Sequence, residues 1–376
     1  MFSLICALAV TGTPPASSAA QLFAQGDFIR AKVAYADAAS RNPADPEAIL
    51  GLARIELYEN DLDAAAKDAK MVLSLKADDE TAKAVLRTVE QRRNILTSAD
   101  GLGVPDSGIV VPFVESEPLP AIQLEIAGKP ATLVLDTGAP DVTLDPDFAK
   151  ALGLAITGGS QGAFLGGRTA VVRQAVVSSI VVGPIALTNV KVTILPSRGF
   201  GLFKDRTVDG IVGTPFLSRF LSTIDYPHHR LLLRPRRAVM ANAGGTAVPM
   251  WLVGDHFIFA AGKVNGLTNQ LFSIDTGGAG AGFVPVQATI AAAHIKTFPD
   301  KAMQGMGGGG PVTIVPTLAD ELCLGPVCQK NVGGGYTPSG SPLSMFPFAV
   351  SGTVSHSFLE RYAVTFDFTH MRLLMT

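Results

Sequence analysis

The chain has 376 residues, of which 47% are hydrophobic and 16% charged, so it has ample material for buried cores and is not of the disordered class. Its formal net charge is −2, and no basic stripe gathers the scattered Lys and Arg residues. This argues against nucleic acid as a partner, because phosphate binding requires concentrated positive charge.

The first 20 residues have features of an export signal. An apolar run, FSLICALAV, precedes the small-residue stretch TGTPPASSAA, in which cleavage would fall near Ala19 or Ala20. The run is too short to span a bilayer, which takes roughly 20 residues. Because the usual basic residues before the run are missing, either the true start lies upstream or the segment is not a signal. We expect an exported protein, located in the periplasm or outside a bacterial cell.

Residues 21–96 contain an internal repeat. GDFIRA at residues 26–31 and NDLDAA at residues 60–65 lie 34 positions apart, as do Asp27 and Asp61. This period, with its small Ala positions, resembles the tetratricopeptide repeat, a pair of helices per unit. Only about two units are present, fewer than the three or so that such arrays need. We therefore expect the segment to pack on the rest of the chain or on a protein partner.

A second, larger duplication follows a linker at residues 97–109. The sequence DGIVGTPFLSRFLSTIDYPHHRLLL at residues 209–233 aligns without gaps with SGTVSHSFLERYAVTFDFTHMRLLM at residues 351–375. Both halves consist of short β-type runs separated by Gly and Pro, which the 39 Gly and 25 Pro of the chain make possible. The duplication predicts two lobes of one β fold, at residues 110–240 and 241–376.

Each half contains one Asp-Thr-Gly sequence, with Asp136 in TLVLDTGAP and Asp275 in LFSIDTGGA. One such motif would mean little because turns favour these residues, but two at equivalent positions of duplicated halves are a specific signal. The pattern resembles the aspartic peptidase superfamily, specifically its retropepsin-like and pepsin-like proteins, over roughly residues 110–376. The resemblance implies a mainly β, bilobed fold behind a short α-helical repeat segment. It also implies an aspartic-type endopeptidase whose catalytic residues are Asp136 and Asp275.

The chemistry explains why two carboxyl groups are needed. Hydrolysis of a peptide without a metal requires an activated water and a proton donor, and two carboxyl groups that share one proton supply both. Two negative charges about 3 Å apart repel by roughly 5 kcal/mol at an effective dielectric constant near 20. One carboxyl group should therefore keep its proton well above the pKa of an isolated Asp.

The same resemblance assigns supporting roles to the residues that follow each Asp. Thr137 and Thr276 would form hydrogen bonds across the junction of the lobes and hold the carboxyl groups coplanar. Gly138 and Gly277 would let the backbone pass closely and offer an amide to each carboxylate.

A flexible hairpin in each lobe is expected to bind substrate. In QGAFLGG of the first lobe these residues are Gly162, Phe164 and Gly166, with Phe164 as the apolar tip of a closing flap. QGMGGGG is the parallel sequence of the second lobe, and it contributes Gly305 and Met306.

The second lobe departs from the family pattern at three places, the first being that Met306 stands where the flap aromatic residue is expected. The family's apolar-apolar-Gly element is Ile211-Val212-Gly213 in the first lobe but Thr353-Val354-Ser355 in the second, which predicts a shifted loop around Asp275. Gly278 replaces the usual small side chain after Asp-Thr-Gly. Two interpretations follow. One is an active endopeptidase with a polypeptide substrate, and the other is an inactive protein that binds a peptide in the same cleft and uses its repeats as a scaffold.

Other motifs point to no cofactor and no metal. The six His residues lack the spacing of a zinc peptidase, and the glycine string at residues 305–310 is not followed by a helix, as a dinucleotide site would require. We expect a monomeric catalytic unit, with a possible protein partner bound through the helical repeats. Cys323 and Cys328 flank a Gly-Pro turn and are either a disulfide bond or two small buried residues.

Overall fold

A computed structural model describes residues 17–240 and 245–376. It confirms a mainly β chain that begins with a helical segment. The expected export signal falls largely on residues 1–16, outside the described residues. Among the helices of the described ranges, none is long and apolar enough to cross a membrane.

The helical segment consists of five consecutive helices. They are α1 (Ala19–Ala24), α2 (Phe28–Arg41), α3 (Pro46–Tyr58), α4 (Leu62–Leu75) and α5 (Glu80–Asp100). The 34-residue repeat has a local cause, because Asp27 and Asp61 are the N-caps of α2 and α4 and accept hydrogen bonds from the amides of Arg30 and Ala64. Helix α5 continues to Asp100, so the first four residues of the expected linker are helical.

The β region begins at Ile109, and its first half contains ten strands and two short helices. These are β1 (Ile109–Glu115), β2 (Ala121–Ile126), β3 (Lys129–Leu135), β4 (Val142–Leu144), α6 (Pro146–Ala151), β5 (Thr157–Phe164), β6 (Arg168–Val182), β7 (Ile185–Ile194), β8 (Gly210–Val212), α7 (Thr214–Leu217), β9 (Phe220–Asp225) and β10 (Arg230–Pro235).

The second half repeats this order with one additional short strand, β15. Its elements are β11 (Thr246–Val253), β12 (Phe257–Val264), β13 (Leu267–Ile274), β14 (Phe283–Pro285), α8 (Gln287–Ala292), β15 (Lys296–Thr297), β16 (Met303–Gly307), β17 (Gly310–Leu324), β18 (Val327–Tyr336), β19 (Gly352–Val354), α9 (His356–Leu359), β20 (Ala363–Asp367) and β21 (Arg372–Met375).

The two halves share one six-stranded antiparallel sheet. Its strand order is β1, β10, β9, β20, β21, β11, so that β9 of the first half pairs directly with β20 of the second. At the centre, Thr223 lies opposite Thr365, and their buried hydroxyl oxygens are 2.7 Å apart. These two residues are equivalent in the sequence duplication, so an approximate twofold axis passes between them.

The helical segment packs on the second half through a buried aromatic cluster. The ring of Phe28 lies 5.4 Å from Trp251 and 5.0 Å from Phe348, both in edge-to-face contact. The backbone amide of Ala349 donates a hydrogen bond of 2.8 Å to the carbonyl of Ala24. The segment is thus built into the body of the protein.

A buried arginine adds polar contacts to the same interface. The guanidinium of Arg92 on α5 donates to the carbonyls of Leu252 and Gly254 at 2.8 Å each and also to that of Leu57. The end of α5 reaches the first half as well, where Arg237 donates to Asp100 at 2.6 Å.

Cys323 and Cys328 form a disulfide bond. They lie directly opposite each other on β17 and β18, whose tight turn contains Gly325 and Pro326. The bond closes the hairpin at the outer end of these two long strands.

Candidate active site

Asp136 and Asp275 follow the apolar strands β3 and β13 in the same backbone setting. The amide of Asp136 donates to the carbonyl of Val212 at 3.0 Å, and the amide of Asp275 donates to that of Val354 at 3.0 Å. The parallel pairings of β3 with β8 and of β13 with β19 also have the same register. The expected shift of the loop around Asp275 is therefore wrong.

The threonines after each Asp lock the two halves together. The amide of Thr137 donates to Oγ1 of Thr276 at 3.0 Å, and the amide of Thr276 donates to Oγ1 of Thr137 at 3.1 Å. Each hydroxyl then donates across the junction, to the carbonyl of Ile274 or of Leu135. Both threonines are fully buried, so this reciprocal set of four bonds fixes the base of the site.

The glycines of the motifs bring the two carboxyl groups together. Gly138 donates its amide to Oδ1 of Asp136 and Gly277 donates to Oδ1 of Asp275, both at 2.8 Å. A Cβ at Gly138 would lie 2.5 Å from Oδ2 of Asp275, and one at Gly277 would lie 2.2 Å from Cγ of Asp136. Each carboxyl group thus occupies space that any side chain on the opposite loop would fill.

The electrostatics of the pair favour one bound proton. Burial raises the pKa of Asp136 well above its ordinary value of 3.8. The charge of Asp275 and a side-chain hydrogen bond between the two carboxyl groups raise this pKa further, against the lowering effect of the Gly138 amide. A proton held in common relieves the repulsion between the two groups.

The two departures of the second half compensate each other. Gly278 is the counterpart of Ala139, and Ser355 is the counterpart of Gly213. Oγ of Ser355 accepts a hydrogen bond of 3.0 Å from the amide of Gly278 and donates to the carbonyl of Asp275. A Cβ at Gly278 would lie 2.3 Å from that oxygen, so the glycine makes room for the serine.

In the first half the exchange is reversed. Gly213 cannot carry a side chain, since a Cβ there would lie 2.2 Å from the carbonyl oxygen of Ala139. Each half therefore has one small side chain at this contact, that of Ala139 in the first half and that of Ser355 in the second. A glycine lies opposite it in both halves, and the loop keeps its shape.

The first-half hairpin places the expected flap residues against the second half. Strands β5 and β6 form the hairpin, and the ring of Phe164 lies so close to Gly308 that a Cβ there would be 2.4 Å from it. Gly166 packs against Val312 of the second half. Gly162 faces the Val172 side chain within its own hairpin.

The equivalent hairpin of the second half, β16 and β17, meets the first at its tip. Arg168 donates a hydrogen bond of 2.9 Å to the carbonyl of Pro311 across this contact. Gly305 packs on Ile314 within the hairpin, and Met306 is 49% exposed. The glycine-rich tip that lacks an aromatic residue is thus shaped to receive the aromatic residue of its partner hairpin.

A cavity of about 390 Å³ lies beside the first-half hairpin and was not foreseen from the sequence. Its apolar walls come from Leu165 of that hairpin, from Val284 and Val286, and from Leu343 and Phe346 on the segment before β19. The walls are drawn from three separate stretches of chain, so no local sequence pattern marks them.

Asp141 lies close to the site and also has a raised pKa. Asp141 has a left-handed backbone conformation with φ 47°, and burial raises the pKa of its carboxyl to about 6 against the opposing charge of Arg219. A titration of the site must separate this group from the Asp136–Asp275 pair.

Comparison with known proteins identifies two families in parts of the chain. The aspartyl protease family matches residues 122–216, which include Asp136 and the first-half hairpin, and the tetratricopeptide repeat family matches residues 22–88. No curated protein matches. Among solved structures, a retropepsin-like aspartic protease from Rickettsia conorii is 21% identical, and the alignment covers 33% of this chain and 87% of that chain with a TM-score of 0.24.

Proposed function

We propose that the protein is an aspartic-type endopeptidase that hydrolyses peptide bonds with a water molecule activated between Asp136 and Asp275. The observation that carries this proposal is the convergence of the two carboxyl groups at the junction of the halves, where each one lies against the Gly of the opposite Asp-Thr-Gly loop. The match of the first half to the aspartyl protease family supports it.

The mechanism follows from the one shared proton. The ionised carboxylate takes a proton from the water as its oxygen attacks the carbonyl carbon, while the protonated carboxyl group gives its proton to the carbonyl oxygen. The resulting tetrahedral diol collapses as the C–N bond breaks: the protonated carboxyl group gives its proton to the amide nitrogen, and the ionised carboxylate takes one from a diol hydroxyl, which restores the single shared proton. Because the pair holds one proton in common, the acid and base roles belong to the pair.

Substrate binding would use the two hairpins. An extended peptide can add its backbone hydrogen bonds along strand edges, with its side chains alternately directed to either side. The contact between Phe164 and Gly308 must then open to admit the chain and close again on it. The cavity beside Leu165 has mainly apolar walls and would accept a large apolar side chain.

The helical repeats would bind a protein partner on the face that is not buried, where Ile29 is 57% and Val33 is 69% exposed.

Export is supported by the disulfide bond between Cys323 and Cys328, since such bonds persist in oxidising compartments. Fractionation of the producing cell would test this, because recovery of the disulfide-bonded chain from the cytoplasm contradicts it.

Cleavage of an unfolded protein or of quenched peptides tests the enzymatic proposal. We expect turnover by the unmodified chain and loss of turnover in Asp136→Asn and in Asp275→Asn, with Asp106→Asn as the control at an exposed carboxylate. Circular dichroism would show that the variants are folded. A folded unmodified chain that binds peptides but cleaves none would instead favour the inactive scaffold.

A further inference from the structure

Three side chains converge behind the Asp275 loop without being required by the proposed reaction. His356 lies at the start of α9 and is 1% exposed, Glu360 follows one turn later, and Glu117 comes from the loop between β1 and β2. Nε2 of His356 is 3.3 Å from Oε2 of Glu360 and 3.6 Å from Oε1 of Glu117. The cluster therefore joins the second half to the first.

The imidazole at its centre has no hydrogen bonds. Within the described residues neither ring nitrogen of His356 makes a hydrogen bond, so the two carboxylates near Nε2 are close without hydrogen-bond geometry, and the buried hydroxyl of the neighbouring Tyr226 makes none either. The two rings are in edge contact, with centroids 5.4 Å apart. Since buried polar groups are nearly always hydrogen-bonded, an imidazole and a phenol that both lack hydrogen bonds beside two carboxylates indicate that a ligand completes the cluster.

The distances match those between the ligand atoms of a metal ion. Bonds of about 2.0–2.2 Å to nitrogen and oxygen in a tetrahedral zinc site place neighbouring ligand atoms roughly 3.3–3.6 Å apart. The two N···O distances have these values, and the donor atoms of the three residues all lie within 4.8 Å of one another.

The duplication shows that the imidazole is not a structural necessity at this position. Its counterpart is Thr214, whose hydroxyl donates 2.7 Å to the carbonyl of Thr137 and so supports the first catalytic loop. In the second half the neighbouring Ser355 bonds the Asp-Thr-Gly loop instead, at the carbonyl of Asp275, one residue before the position equivalent to Thr137. His356 therefore does not make the hydrogen bond to the loop that its counterpart Thr214 makes.

We propose that His356, Glu117 and Glu360 bind a divalent transition-metal ion of the zinc class. A neutral imidazole and two carboxylates are ligands that Zn²⁺ accepts, and their charges balance that of the ion. A fourth position remains for water, because the Glu117 side chain is 72% exposed and leaves the cluster open to solvent on that side. The ion links the β1–β2 loop of the first half to α9, directly after the serine that supports Asp275.

The sequence motifs predict no metal site. The His spacing of zinc peptidases is indeed missing, but the third ligand lies 239 positions before His356 and no local motif includes it. This proposal rests on the three side chains alone and stands whether or not the protein cleaves peptides.

Metal titration of the full chain tests the proposal. After treatment with a chelator, the protein is titrated with Co²⁺, and we expect one equivalent to give the visible absorption of a tetrahedral site, which one equivalent of Zn²⁺ then removes. The midpoint of thermal unfolding should rise with Zn²⁺ concentration.

Substitutions that preserve volume locate the site. Glu117→Gln and Glu360→Gln should each weaken Zn²⁺ binding at least about tenfold, a loss of roughly 1.4 kcal/mol. Glu125→Gln, at an exposed strand position, and His228→Gln, at an exposed histidine, serve as controls and should bind as the unmodified chain does. Absence of stoichiometric binding would overturn the proposal, and so would binding that survives Glu117→Gln and Glu360→Gln combined.

Discussion

The paired exchange of Gly278 and Ser355 predicts a strong energetic coupling between these two positions. Gly278→Ala alone forces a Cβ to within 2.3 Å of the serine hydroxyl oxygen. Ser355→Gly alone removes the hydroxyl that bonds the amide of residue 278 and the carbonyl of Asp275. The double variant recreates the Ala139–Gly213 arrangement of the first half and should relieve the clash.

The magnitudes can be estimated from these contacts. Overpacking at Gly278→Ala should lower the free energy of unfolding by about 2 kcal/mol. Ser355→Gly should lower it by about 2 kcal/mol, through two lost hydrogen bonds and the added flexibility of glycine. Independent effects would sum to about 4 kcal/mol in the double variant. We expect about 2 kcal/mol instead, because the clash disappears with the serine, which is a coupling free energy of about 2 kcal/mol.

Urea unfolding of the four proteins in this cycle measures the coupling. The fluorescence of Trp251, the single tryptophan of the chain, reports on the second half in which both positions lie. The same cycle at Glu125 and Lys191, two exposed strand positions, provides an additive control. Effects at Gly278 and Ser355 that add to within about 0.5 kcal/mol would refute the matched-pair interpretation.

Three further substitutions test other parts of the structure. Burial is the main cause that raises the pKa of Glu56 from its ordinary 4.5 to about 7, and the charge of neighbouring acids adds to it. The folded chain therefore loses stability as pH rises through this interval. Glu56→Gln should raise the melting temperature at pH of about 8 and change it little at pH of about 4. Arg92→Met leaves three carbonyl groups without their hydrogen-bond donor. It should lower the free energy of unfolding by at least about 2 kcal/mol in urea titrations. The control Arg93→Met, at an exposed position, should change this free energy by less than about 0.5 kcal/mol. Gly308→Val places a side chain where the ring of Phe164 lies. It should weaken the binding of a hydroxyl-bearing peptide isostere roughly tenfold, or by about 1.4 kcal/mol, as measured by calorimetry. Unchanged affinity would show that the hairpins do not hold the ligand.

Local and repeated features of the fold could be predicted from the sequence. The 34-residue period was visible because each repeat starts with the same N-cap aspartate, Asp27 or Asp61. The larger duplication was visible because equivalent strands in each half need the same apolar spacing. The sequence predicts the end of the helical segment at residue 96, four residues too early, because no residue before Gly101 interrupts α5.

The core of the candidate site was also predictable, for a chemical reason. Only glycine fits at positions 138 and 277, and only a hydroxyl side chain with a short stem can make the reciprocal bonds of Thr137 and Thr276. Constraints this strict leave a motif of three adjacent residues that sequence alone reveals.

Contacts between distant segments could not be predicted in this way. Gly278 and Ser355 looked like two separate defects, because their compensation depends on a contact between residues 77 positions apart. The cavity beside Leu165 and the convergence of Glu117 on His356 likewise depend on chain segments that meet only after folding. Packing partners of this kind leave no periodic signal along the chain.

The pH dependence of kcat/KM for a quenched peptide, from about pH 3 to about pH 8, tests most directly whether Asp136 and Asp275 share one catalytic proton. A shared proton predicts a bell-shaped profile with two separated apparent pKa values, no measurable turnover in Asp136→Asn, and the same bell in Asp141→Asn, whose own carboxyl has a pKa of about 6. Turnover that persists in Asp136→Asn, or a profile whose only pKa disappears in Asp141→Asn, would contradict the account.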